Sequence, residues 1–255
     1  MPLLAVTRDL SPSFEQCQLT HLARQPIDLA RARTQHEAYE RCLASLGCRV
    51  ERLPAGDDLP DSVFVEDCAI VLDEIAVLTR PGAASRRPEV PAVEAALRPY
   101  RPSVRIAAPA TIDGGDVLRV GRTLYVGLST RTTELAVEQL EGLVGPFGYQ
   151  VVAAKVHGCL HLKSAATEVA PNLLLVNPAW VGDWARAFDR IEVDPAEPFA
   201  ANALRVGDAL VYPCAFPRTR ARLEARGLDV RPVDVSELAK AEGAVTCCSL
   251  VFEAP

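Results

Sequence analysis

The chain has 255 residues, 49% of them hydrophobic, and a formal net charge of -6; a single domain over residues 1–255 is expected at that length. The acidic balance, with no basic stripe, excludes a nucleic-acid footprint, because neutralising phosphates takes clustered Lys and Arg. The first residues lack the features of a signal peptide and no apolar run reaches membrane-spanning length, while eight cysteines in so long a chain suit a reducing compartment, so a cytoplasmic protein away from membranes is expected.

In chain order, residues 3–7 read as a strand with no hairpin partner beside it. An amphipathic helix follows over 29–46, with Leu29, Ala32, His36, Tyr39, Leu43 and Leu46 on one face and Gly47 ending it, then a strand at 49–53. Glu66-Asp67 opens onto a hairpin, 68–72 and 75–79, turning at Asp73-Glu74. A strand at 103–107 precedes the clearest hairpin, which opens at Asp113-Gly114-Gly115-Asp116, runs over 116–120 and 123–127, and turns at Gly121-Arg122. A second helix covers 131–143 and a strand 150–154. His161-Leu162-Lys163-Ser164 opens a hairpin turning at Pro171-Asn172, and Ala201-Asn202 opens one turning at Gly207-Asp208. A strand at 229–233 and the opening Thr246-Cys247 lead to a last strand, 248–252, which has no partner except the first.

These openings recur every ~40–50 residues, and self-similarity at that period marks an array or propeller. The expected fold class is therefore α/β, with five units of strand, strand, helix, strand closed into a ring when the two terminal strands pair. The ring would bring a carboxylate pair, a second carboxylate, a histidine, an amide and a cysteine to equivalent places.

The cysteines contain no C-x-x-C pair, which argues against a structural zinc site, and most read as small buried hydrophobes. Cys247 differs because it stands at an opening; Cys248, its neighbour in a strand, would point to the opposite face. Only one of the two can be the nucleophile. A lone histidine is more often structural than catalytic, but His161 is equivalent in the repeat to Cys247 and Asp113, and an acid/base histidine needs a carboxylate to fix its tautomer. Asp61, Glu66 and Asp67 flank Val63-Phe64-Val65. That density suits a guanidinium, whose N–H forks match carboxylates while Phe64 offers a face for the cation.

Six strings carry a family resemblance: Asp61-Ser62-Val63-Phe64-Val65-Glu66-Asp67, Thr79 through Arg87, Asp113-Gly114-Gly115-Asp116-Val117-Leu118, Val126 through Thr132, Leu160-His161-Leu162-Lys163-Ser164 and Thr246-Cys247-Cys248-Ser249. Together, in order through nearly the whole chain, they resemble the dimethylarginine dimethylaminohydrolase family of the guanidino-modifying penteins. The resemblance implies a five-bladed α/β propeller of ββαβ units. It further implies that Cys247 attacks the guanidinium carbon, His161 moves protons in both half-reactions and Asp113 orients His161. Asp61, Glu66 and Asp67 would hold the guanidinium, and Arg86 and Arg131 the α-carboxylate. Leu19 would cover the ligand from a flap, and the Ala241 carbonyl would meet the α-amino group.

The implied reaction is hydrolysis of Nω,Nω-dimethyl-L-arginine, and of the monomethyl form, to citrulline and the methylated amine, with a small-molecule substrate and no cofactor. Zinc would inhibit if it bridged Cys247 and His161, without being a structural metal. Arginine deiminase, amidinotransferase and a non-catalytic binding pentein are the alternatives; the joint presence of Cys, His and carboxylates at the openings argues for an enzyme. A homodimer stays open, since no interface can be identified from one chain.

Overall fold

The computed structural model describes residues 2–254. Its strands form five separate three-stranded sheets of one pattern. Strands β1 (Leu3–Arg8), β2 (Cys48–Leu53) and β15 (Leu250–Glu253) make one blade, in which β1 pairs antiparallel with β15 and parallel with β2. The first and last strands of the chain thus share a sheet. The remaining blades are β3 (Ala69–Val71), β4 (Ala76–Leu78) and β5 (Ser103–Arg105); β6 (Val117–Val120), β7 (Thr123–Leu128) and β8 (Gln150–Lys155); β9 (Ala166–Ala170), β10 (Leu173–Val176) and β11 (Asp189–Glu192); and β12 (Leu204–Val206), β13 (Ala209–Pro213) and β14 (Asp229–Val233). In each, an antiparallel hairpin is followed by a parallel third strand. Parallel pairing needs a crossover, which is why a helix stands between the second and third strands. The first strands of successive blades lie side by side, β15 by β3, β6 by β9 and β9 by β12, and so line the axis of the five-bladed propeller.

Local sequence explains most of these boundaries. Helix α1 (Leu29–Ser45) starts where the Asp28 carboxylate accepts the Arg31 N–H at 3.0 Å, and stops at Gly47, whose φ of +89° suits a residue without a Cβ. Its buried face carries the expected Ala32, His36, Tyr39 and Leu43, and also two polar residues, Gln35 and Glu40. Helices α2 (Val90–Leu97), α3 (Glu134–Val144) and α5 (Pro217–Ala225) cross over in three further blades. The blade of β9 to β11 departs from the expected unit. Its crossover holds only a 3-10 turn, Asp183–Ala187, because 177–188 carries Pro178, Gly182 and no 3.6-residue apolar stripe. Trp184 and Phe188 fill the seam between that blade and its neighbour instead, packing on Tyr125 of β7 at centroid distances of 5.0 and 5.4 Å.

A short turn precedes the first strand of several blades: Val65–Cys68, Gly114–Asp116 and the single-turn helix α4 (Leu162–Ala165). These turns touch one another. They hold the polar openings at one end of the ring, where α1 also reaches: the Tyr39 hydroxyl, fully buried, donates to the Val245 carbonyl at 2.8 Å and bonds the Ser249 hydroxyl at 2.6 Å.

Candidate active site

Cys247 and Cys248 both lie in the 245–248 turn that precedes β15, so it is the turn and not the expected strand alternation that separates them. Cys248 is fully buried in the core beneath α1, whereas Cys247 is half-buried and lines a cavity. The turn is fixed on both sides of the sulfur: the Cys247 N–H donates to the Ala244 carbonyl at 3.2 Å, and its carbonyl accepts the Glu66 N–H at 3.2 Å. Burial pushes the Cys247 thiol up to about 12, and the Glu66 and Asp67 carboxylates push the same way.

His161 is the residue before α4, in extended backbone, with its ring buried. Its Nε2 lies 3.1 Å from Asp113 Oδ2 and its Nδ1 3.9 Å from Asp67 Oδ1. Burial alone would lower its pKa. The Asp67 charge, the Asp113 hydrogen bond and the Asp116 charge outweigh burial and hold it at about 9, so the ring is an imidazolium at neutral pH. The turn bearing Asp113 can pass this pair only as glycine: a Cβ on Gly115 would stand 2.6 Å from His161 Nδ1 and 2.8 Å from Asp67 Oδ1. Asp113 is itself fixed by the Gly82 N–H, which donates to its Oδ1 at 2.8 Å.

The three carboxylates expected to hold a guanidinium do not converge. Asp61 and Asp67 line the cavity with Phe64 and Cys247. Asp61 accepts the Gln18 N–H, and burial raises its pKa. Asp67 accepts from Gly115 at 2.9 Å and pairs with Arg86; although burial opposes ionisation, His161 and Arg86 hold its carboxyl down at about 2. Glu66 faces away, toward the axis of the ring. Its oxygens take the Lys163 ammonium at 2.5 Å and the Thr246 hydroxyl at 2.8 Å, and it is absent from the cavity lining. The 3-10 turn at 65–68 sends these adjacent side chains to opposite sides of the floor.

Of the two arginines, Arg131 extends over the cavity, its Nη2 donating to the Thr20 hydroxyl at 3.0 Å and its Nη1 3.9 Å from Asp113 Oδ2. Arg86 lines the cavity as well, but is buried with every nitrogen engaged by protein: Glu89, Asp67 and the carbonyls of Asp61 and Phe64. Ala241 lines the cavity. Leu19 does not; it packs, half-buried, against the core below the 14–24 segment while Gln18 faces the cavity. Asp67, Asp113 and His161 bring one ligand atom each within 4.8 Å of one another, a cluster that does not include Cys247.

A dimethylarginine dimethylaminohydrolase of Streptomyces coelicolor is 38% identical over 247 residues, covering 96% of this chain and 95% of that protein. The chain belongs to the dimethylarginine dimethylaminohydrolase family. The family member from Pseudomonas aeruginosa, solved as a cysteine-to-serine variant with citrulline, matches with a TM-score of 0.93 at 33% identity, over 99% of this chain and all of that one. A histidine-to-glycine variant solved as an adduct with S-methyl-L-thiocitrulline matches with a TM-score of 0.92, at the same identity and coverage. No protein-family model matches the chain.

Three further residues, to which the sequence assigned no role, shape the site. Asp116, fully buried, accepts the Ser129 and Thr132 hydroxyls at 2.6 Å each and the Leu162 N–H at 3.0 Å, so it fixes the turn that carries His161. Lys163, two residues after His161 in the same opening, pairs with Glu66. Asn202 joins them by donating to the Lys163 carbonyl at 3.0 Å and the Thr246 hydroxyl at 2.9 Å, which gives the fourth opening a positioning task. Asp116 stood in a string already marked by its glycines. The partners of Lys163 and Asn202 lie too far along the chain for spacing to reveal them.

Proposed function

We propose that this enzyme hydrolyses Nω,Nω-dimethyl-L-arginine, and its monomethyl form, to L-citrulline and the methylated amine. The observation that carries this is one cavity lined by a cysteine, a histidine braced on a carboxylate, and two carboxylates beside an aromatic ring. Asp61 and Asp67 receive the guanidinium, with Phe64 against its plane. The cation, seated beside Cys247, lowers the thiol pKa and generates the thiolate.

The sulfur then forms a bond to the guanidinium carbon. His161 gives its proton to the dimethylated nitrogen, the C–N bond breaks and dimethylamine leaves. The thiouronium left on Cys247 is attacked by water, whose first proton passes to the now neutral His161; the C–S bond breaks, citrulline forms as it gives up the second proton, and the thiolate takes back the proton it lost when substrate bound. Asp113 holds the ring in place through both steps. Arg131 takes the α-carboxylate and the Ala241 carbonyl the α-amino group, while Arg86 fixes the positions of Asp61, Phe64 and Asp67. Glu66 acts from beneath, through its charge on Cys247. Among the described residues no helix is long and apolar enough to cross a membrane, and the cytoplasmic setting, which suits eight unpaired thiols, is part of the proposal.

The test is to offer dimethylarginine, monomethylarginine and arginine separately and follow citrulline and amine. Release from the methylated substrates supports the proposal. Turnover of arginine alone, or of none of the three, overturns it.

A further inference from the structure

The segment over residues 17–22 crosses the mouth of the catalytic cavity as a strap with three polar anchors, all on residues that line the cavity. The Asp61 carboxylate accepts the Gln18 N–H at 3.1 Å, and Arg131 donates to the Thr20 hydroxyl at 3.0 Å. On the third side, the Glu242 carboxylate accepts three successive backbone N–H groups: Thr20 at 2.9 Å, His21 at 2.5 Å and Leu22 at 2.6 Å. The strap's base is closed separately by Arg24, which donates to the carbonyls of Glu15 and Cys17 at 2.5 and 2.6 Å.

Resting on the reading under Proposed function, we infer that Glu242 is a positioning residue that latches this strap over bound substrate. Asp61 and Arg131 are the groups that must turn to the guanidinium and the α-carboxylate, so a ligand competes with the strap for both. Glu242 alone among the three anchors is left to the strap. A carboxylate capping a run of N–H groups makes charge-assisted bonds, stronger than those between neutral partners. The backbone is consistent with a placed side chain: Glu242 has a φ of +58°, a conformation that costs a residue with a Cβ and that glycine adopts freely. It is set between Ala241 and Gly243, the latter so close to Phe64 that a Cβ there would stand 2.2 Å from its ring. The latch and the cavity wall are therefore one rigid turn.

The same conformation supplies the test. Glu242→Gly removes the carboxylate while relieving the backbone at that φ, so the loss is confined to the strap and the variant should still fold. Amide exchange at Thr20, His21 and Leu22 should accelerate about tenfold or more, and the KM for dimethylarginine should rise about tenfold with kcat within about threefold, since binding rather than chemistry is lost. Glu242→Gln, which keeps a neutral acceptor, should fall between. Unchanged exchange overturns the latch, and so does faster exchange with an unchanged KM. If the parent enzyme turns over no methylated arginine, the proposed function fails, and exchange at the three amides still decides whether Glu242 holds the strap.

Discussion

Asp113 Oδ2 lies 3.1 Å from His161 Nε2, and both side chains are shut away from solvent. An anion in that position stabilises the imidazolium and fixes which ring nitrogen faces the cavity. Asp113→Asn keeps the shape and removes the charge. The His161 pKa, held at about 9 chiefly by Asp67 against burial, should fall by about one unit or more. Because the protonated ring expels the amine, the alkaline limb of the rate profile should move to lower pH, with kcat down at least tenfold. An alkaline limb that stays in place in the variant would remove Asp113 from this role.

The two adjacent cysteines should separate cleanly. Cys247→Ser should abolish turnover. Cys248→Ala deletes a sulfur from the packed core beneath α1, which should cost about 1 kcal/mol in a urea titration while leaving kcat within about threefold. The reverse pattern would mean that the other sulfur attacks. In the free enzyme the Cys247 thiolate, with its pKa up at about 12, should be absent near neutral pH, and a bound guanidinium analogue should bring its ultraviolet absorbance to lower pH.

The blade repeat was legible because its punctuation is local. Gly121 and Gly207, at φ of +58° and +60°, turn two of the hairpins where the sequence places them, and Asp28 and Gly47 bound α1. What escaped depends on partners remote in sequence. Glu40 is polar on the buried face of α1 because it receives the Thr7 hydroxyl at 2.6 Å and pairs with Arg52, neither of which any period along the helix can show. Adjacent in sequence, Glu66 and Asp67 suggest one grip, yet a 3-10 turn aims them apart, and the choice of side is made by Lys163 and Arg86. Residue types at the openings could be read; the direction of each side chain could not.

His161 also ties stability to pH. Its pKa rises from 6.5 in the unfolded chain to about 9 in the fold, so the folded state binds the proton more tightly. The resulting stabilisation is fully present below pH 6.5 and is lost as pH climbs through 9, on the order of 3 kcal/mol in all. Urea midpoints between pH 6 and 9.5 should therefore fall more steeply for the parent than for His161→Gln. Parallel slopes would mean that the proton is not held on this ring.

Glu66 and Lys163 should act on the thiol with opposite signs. Glu66 is buried and its pKa raised by that burial, while Lys163, 2.5 Å away, favours its ionised form. Lys163→Met leaves a buried carboxylate unpaired and should cost about 3 kcal/mol; adding Glu66→Gln removes that charge and should recover most of the loss. Loss of Lys163 also takes away a positive charge that favours the Cys247 thiolate, whereas Glu66→Gln takes away a negative charge that opposes it. Alkylation of Cys247, located by peptide mass at a fixed mildly alkaline pH, should therefore slow in Lys163→Met and quicken in Glu66→Gln. Two shifts of the same sign would mean that the pair affects Cys247 through the shape of the floor and not through its charge.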